Sequence, residues 1–153
     1  MAQYAAPDAD IVDGAWLDEA AGNTNLFNGL PPAVPGAPAA DDDATYIESE
    51  ANPSASACGF GLATLEDPAS STGHIMRWRR KKDASGGGQM DLTTQLRMTY
   101  VSEGSMGTLI GEKAETDVSD VVANDSYTLT GGEADTITDY ADLQVRFLAN
   151  QST

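Results

Sequence analysis

Apolar and polar residues alternate with period two in short runs separated by turn residues, the pattern of half-buried β-strands. The alternation is longest over residues 90–100. There Met90, Leu92, Leu96, Met98 and Tyr100 share a face with Thr94, while Asp91, Thr93, Gln95, Arg97 and Thr99 share the other. This predicts an antiparallel strand with one face in the core and one in solvent. Residues 142–148 repeat the pattern, with Leu143, Val145 and Phe147 set against Asp142, Gln144 and Arg146. Further strands are predicted over 10–16, 45–49, 58–65, 107–114 and 126–130, with Phe60, Leu62 and Thr64 on one face of the third. The run "HIMRWRRKKD" at 74–83 also reads as a strand, with His74, Met76 and Trp78 inward and Ile75, Arg77, Arg79 and Lys81 outward. Arg80 and Lys82 lie past the point where its apolar face ends. The predicted core anchors are therefore Met76, Trp78, Leu92, Leu96, Met98, Tyr100, Leu143, Val145 and Phe147. Helical signals are poor, apart from a turn or one short helical turn in "TGGEADTITDY". About eight short strands with long connections predict an all-β antiparallel sandwich of jelly-roll type rather than a closed barrel.

The early part of the chain interrupts this pattern. Four of the seven prolines fall at 31, 32, 35 and 38, and proline fixes φ and removes a ladder donor, so this stretch is neither a central strand nor a helix interior. Residues 1–44 are expected to form an extended N-terminal strand and a Pro/Asp-rich arm or loop, and 45–153 the β-sandwich, within a single domain overall. At 153 residues the chain is long enough to bury a core without disulfide or metal staples. The acidic triplet at 41–43 lacks the glycine and alternating ligands of a calcium loop and reads as a solvated turn. The glycines at 86–88 suit a hairpin connection. No Gly-Lys-Ser or Gly-Lys-Thr follows them, so a phosphate-binding loop is not indicated.

Charge narrows the function class. The formal net charge is -16, with 24 Asp and Glu against 8 Lys and Arg, and Asp outnumbers Glu. Such self-repulsion is tolerated where salt shortens the Debye length to about 3 Å, which favours a halophilic setting over an ordinary acidic surface. General nucleic-acid binding is disfavoured, because phosphate contact needs a dominant positive surface. Five of the eight cations sit within 74–83. Parity places Trp78 opposite the outward cations, so the run lacks the stacking side chains of a single-strand binder. Its outer stripe suits an acidic subunit or acidic copies of the same chain, or else a solvated face offset by carboxylates on the next strand. Candidate partner-contact residues are Arg77, Arg79, Arg80, Lys81 and Lys82, together with Leu26, Phe27, Pro31 and Pro32 in the N-terminal arm.

No catalytic, cofactor or metal constellation stands out. His74 is the one histidine, without a nearby cysteine for a metal site and without a Gly-x-Ser-x-Gly elbow elsewhere. Carboxylate pairs are so abundant that none is informative. Cys58 is alone, so no intrachain disulfide is available, and it is expected as a small buried hydrophobe. Trp16 and Trp78 are potential sugar-stacking platforms, against the reading of both as core anchors. The N-terminus lacks a basic n-region and apolar h-region, and no run approaches the roughly 20 residues of a membrane span. The chain is expected to be made soluble in the cytoplasm without a signal peptide, with no membrane partner and no cofactor.

The succession "DIVDGAWLDEAAGNTNLFNGL", "DDDATYIESE", "GHIMRWRRKKDASGGGQMDLTTQL" and "DTITDYADLQVRFLAN" resembles small virion proteins of tailed phages and tailed archaeal viruses. The resemblance spans most of the chain and is one of strand and turn order, without a catalytic signature. It implies a non-enzymatic β-sandwich component of the particle, a capsid decoration, turret or spike protein. Its partners would be the major capsid protein and copies of itself in a symmetric oligomer such as a trimer. The Pro-rich stretch and the acidity depart from that pattern. A carbohydrate-binding adhesion module on the particle and a neck or tail component are the alternatives, and a hydrolase is the weakest reading.

Overall fold

The structure is a computed structural model that describes residues 3–30, 45–84 and 88–152. Its strands are β1 (Pro7–Val12), β2 (Leu17–Asp18), β3 (Ile47–Glu48), β4 (Ser56–Leu62), β5 (Ile75–Arg80), β6 (Gln89–Met98), β7 (Thr108–Glu115), β8 (Ala123–Thr128) and β9 (Leu143–Ser152). A 3-10 turn covers Leu26–Gly29, and one helical turn, α1, covers Gly131–Ala134. The fold is all-β. A five-stranded antiparallel sheet in the order β1-β4-β9-β6-β7 forms one layer, and β2-β3 and β5-β8 pair as separate two-stranded ribbons. The expected helical turn is α1, closed by a capping box in which Thr130 and Glu133 satisfy each other's backbone N–H groups.

Strand register turns the sequence alternation into two different sheet faces. Phe60 opposes Val145 and Cys58 opposes Phe147, while Leu92, Leu96 and Met98 of β6 oppose Ala149, Val145 and Leu143 of β9. These residues make a single apolar face. Its β6–β7 half is covered by the β5-β8 ribbon and the segment around α1, where Leu129, Ala134 and Ile137 join Leu96, Met98, Ile110 and Leu143, with Met76 and Tyr127 against them. Its β4–β9 half is covered by residues 16–30 and β3, which contribute Trp16, Leu26, Phe27 and Ile47. Burying each large apolar side chain contributes about 1.5–3 kcal/mol, so both coverings hold firmly to the sheet. Asp10 fixes the entry of the 3-10 turn by accepting hydrogen bonds from the backbone N–H groups of Leu26 and Phe27, both at 2.8 Å.

Two local devices let the layers close. Leu96 pairs with Gly111 but the next β6 residue, Arg97, pairs with Leu109. The skipped residue, Ile110, is a bulge whose side chain enters the core. Gly111 then lies directly beneath Leu129 and Tyr127, where a Cβ would collide with the leucine.

Two predicted core anchors are placed differently, and one of them, Trp78, is half-buried and belongs to neither apolar cluster. Tyr100 is buried, but on the opposite face from Met98. Strand β6 ends at Met98, and Thr99 takes a left-handed backbone with φ of 61°, which breaks the alternation and swings the ring over Gly59. The absence of a side chain at Gly59 makes room for it. The Pro-rich stretch, including Pro31 and Pro32, and the acidic triplet at 41–43 fall outside the described residues.

Candidate partner-contact surface and buried polar cluster

Strand β5 carries the basic run, and its pairing with β8 sets what each residue faces. Met76 opposes Tyr127, Trp78 opposes Asp125 and Arg80 opposes Ala123, alternating with Ile75–Thr128, Arg77–Ser126 and Arg79–Asn124. The first set turns toward the sheet. Met76 packs on the core, and the Trp78 ring lies under the Lys113 ammonium, 5.6 Å from its centroid. The second set is exposed, as is Lys81 just beyond the strand. Its cross-strand neighbours on β8 are Thr128, Ser126 and Asn124, so no carboxylate stands directly opposite the cations.

Arg80 and Lys82 have different roles from their neighbours. Arg80 donates through Nε to Glu115 at 3.0 Å, forms an ion pair with the same carboxylate through Nη2, and reaches Asp125 at 3.4 Å. Lys113 pairs with Asp125 as well. This ionic strip ties the ribbon to β7, and the hydrogen bond from Arg80 to Glu115 holds the guanidinium firmly protonated. Lys82 pairs with Asp117 at 2.5 Å. Both are therefore engaged within the chain, because their parity points them at the acidic edge of β7 and the loop after it. Leu26, expected at a partner contact, is fully buried in the core, and Phe27 packs against the same cluster. Their side chains turn to the sheet, before the prolines on which the expectation of an arm rests.

The opposite face of the large sheet holds a buried polar cluster that the alternation predicted to be solvated. Gln95, Arg97, Gln144 and Arg146 are each at most 6% exposed. Register explains their meeting, since Gln95 pairs with Arg146 and Arg97 with Gln144. The loop after Thr99 folds over them. Arg146 donates from Nε to Glu103 at 2.8 Å and from Nη2 at 2.5 Å, while its Nη1 shares the Gln95 carbonyl oxygen with Arg97 Nε. Arg97 Nη1 donates to the Met106 carbonyl at 2.8 Å, and Gln95 donates to Glu112 at 2.5 Å. The Tyr100 hydroxyl donates to Glu103 at 2.5 Å, and its backbone N–H donates to Gln144 at 2.9 Å. The Arg146 hydrogen bond lowers the Glu103 pKa below its ordinary value. Burial, then the Arg146 charge, lowers that of Arg97, whereas burial and Glu103 raise that of the Tyr100 phenol. Two arginines and two glutamates balance one another, an arrangement that fastens the 99–107 loop to the sheet.

Ser71 Oγ donates to Asp135 at 2.5 Å, while His74 Nε2 meets the Tyr140 hydroxyl at 2.7 Å, so the described hydrogen bonds join no serine to the histidine. Asp67, Ser70, Ser71, Asp135 and Tyr140 line an open groove of about 280 Å³ beside α1. Among the described residues, no group of three or more His, Cys, Asp or Glu side chains is placed to hold a metal ion, and no helix is long and apolar enough to cross a membrane. Cys58 is fully buried, which pushes its thiol pKa well up. Trp16 is 6% exposed and packs on Phe147 at 6.5 Å. Trp78 is half-buried, with the Lys113 ammonium over its ring. Comparison of the chain with protein-family models, curated proteins and solved structures finds no match.

Proposed function

We propose that this chain is a non-enzymatic structural protein of a virion, a capsid decoration, turret or spike component that docks on acidic neighbours through the outer face of β5. The observation that carries the reading is the pair of exposed cations Arg77 and Lys81 on the outer side of β5, set on a protein of net charge -16. Opposite charges across an interface steer encounter and fix orientation. A stripe of one sign on a body of the other thus suits a fixed place in an assembly. The particle setting rests on the resemblance in strand and turn order, and jelly-roll type and a symmetric homo-oligomer belong to the same proposal. The major capsid protein or further copies of this chain would supply the acidic surface.

The test is quantitative mass spectrometry of purified particles combined with a density map of their surface. Stoichiometric copies at regular positions on the capsid are expected. A single copy per particle, or absence from particles, contradicts the reading.

A further inference from the structure

Strand β5 offers more than its side chains. Among the described residues it pairs only with β8, in a two-stranded ribbon, and the hydrogen-bond phase is fixed by the Leu129 backbone N–H donating to the His74 carbonyl at 3.0 Å. With Ile75 opposite Thr128, that bond places the ladder exchanges at Met76, Trp78 and Arg80. In an antiparallel pair the intervening residues direct their N–H and C=O groups to the other side. The backbones of Ile75 and Arg77 therefore point away from β8, along an edge that no other strand occupies among the described residues. Arg77 is exposed at this edge and Ile75 is 40% exposed, whereas edge strands are commonly shielded by bulges, proline or a covering element. β5 has six regularly paired residues without a register shift.

The geometry points to β5 as an acceptor for strand addition, pairing its free edge with an extended acidic segment of a neighbouring protein. This deepens the proposed assembly role and rests on it. In such pairing the main-chain bonds supply affinity and alternate side chains supply selectivity. Carboxylates at every second position of the added strand would stand on the same face as Arg77, about 4.5–5.5 Å away at Cβ, with the exposed Lys81 further along the same side. Charge complementarity selects an acidic polypeptide, because the row is cationic and its stacking residue, Trp78, is turned inward under Lys113. That inward turn disfavours a nucleic-acid strand, which would need exposed aromatic platforms.

The test uses the full chain and a synthetic octapeptide alternating Asp and Thr. Controls are an Asn-for-Asp version, two versions N-methylated on alternate amides of either parity, and oligo-dT. Titration followed by two-dimensional NMR and amide exchange gives the readout. Binding should slow exchange at the Ile75 and Arg77 amides by roughly tenfold or more. One N-methylated parity should lose binding while the other keeps it, and the Asn version should bind more weakly. Equal binding by both N-methylated peptides overturns strand addition. It would leave the assembly reading standing if particles still hold stoichiometric copies. Tighter binding of oligo-dT overturns the choice of occupant, as does protection of the same amides in the protein alone as its concentration rises, which would assign the edge to a second copy. Absence of the protein from particles removes the underlying reading independently of any peptide result.

Discussion

At the scale of single residues, the most consequential contact is the pair between Arg146 and Glu103. The arginine side chain is 5% exposed and the glutamate 42%, so the buried cation depends on a partner supplied by a surface loop. Removing that charge leaves a desolvated guanidinium with weaker acceptors. We predict that Glu103→Gln destabilises the fold by about 1–3 kcal/mol at neutral pH, measured by denaturant unfolding. The pH dependence has a definite sign. Because the folded carboxyl titrates below its ordinary value of 4.5, its contribution is fully present above that value and is lost as the pH falls through the depressed one. The gap between the parent protein and the variant should therefore narrow in acid, and a constant gap would contradict the assignment. None of this was legible from periodicity. Gln95, Arg97, Gln144 and Arg146 occupy positions that alternation assigns to solvent, and only the β6–β9 register together with the turn at Thr99 closes them over. A threonine at positive φ is an uncommon conformation that no apolar pattern announces. The available hint was two arginines, each two residues from a glutamine, on the polar side of the two clearest strands.

At the scale of elements, those same strands were the most readable. β6 and β9 appear where the alternation is cleanest, and the split of β5 into inward Met76 and Trp78 and outward Arg77, Arg79 and Lys81 follows directly from parity. The order β1-β4-β9-β6-β7 did not follow, because four of its five strands are brought beside partners distant in sequence, and pairing choice depends on which faces fit. The two-residue strands β2 and β3 are too short to carry a periodic signal. The Ile110 bulge is likewise invisible, since alternation assumes an unbroken ladder. Closure of the β5-β8 ribbon depends on Gly111, where an added methyl meets Leu129 and Tyr127. Gly111→Ala should cost about 1–3 kcal/mol through overpacking. Its amide-exchange signature should be faster opening in β5 and β8, while the β4–β9–β6 ladder keeps its protection. Uniform loss across all strands would contradict the view that the ribbon is a separately docked layer.

At the scale of the whole molecule, charge sets the outer side of β5 apart from the rest. The protein carries -16 overall, yet its basic run is divided by the fold into two roles. Arg80 and Lys82 hold the ribbon and its following loop to acidic groups of the same chain, while Arg77 and Lys81 are exposed on its outer side. Composition and parity made the cluster and its outer stripe legible. They did not separate Arg80 and Lys82 from it, because the carboxylates that engage them, Glu115, Asp125 and Asp117, come from elsewhere in the sequence. The central claim is that the outward row is a contact surface for an acidic neighbour, and the most direct measurement is competitive incorporation. Particles assembled from equal amounts of the parent chain and an Arg77→Glu/Lys81→Glu variant would be analysed for the ratio of the two, with melting curves of both free proteins taken alongside. The variant should be under-represented by roughly tenfold or more while its melting temperature stays within a few degrees of the parent's. Equal incorporation of a folded variant would contradict it.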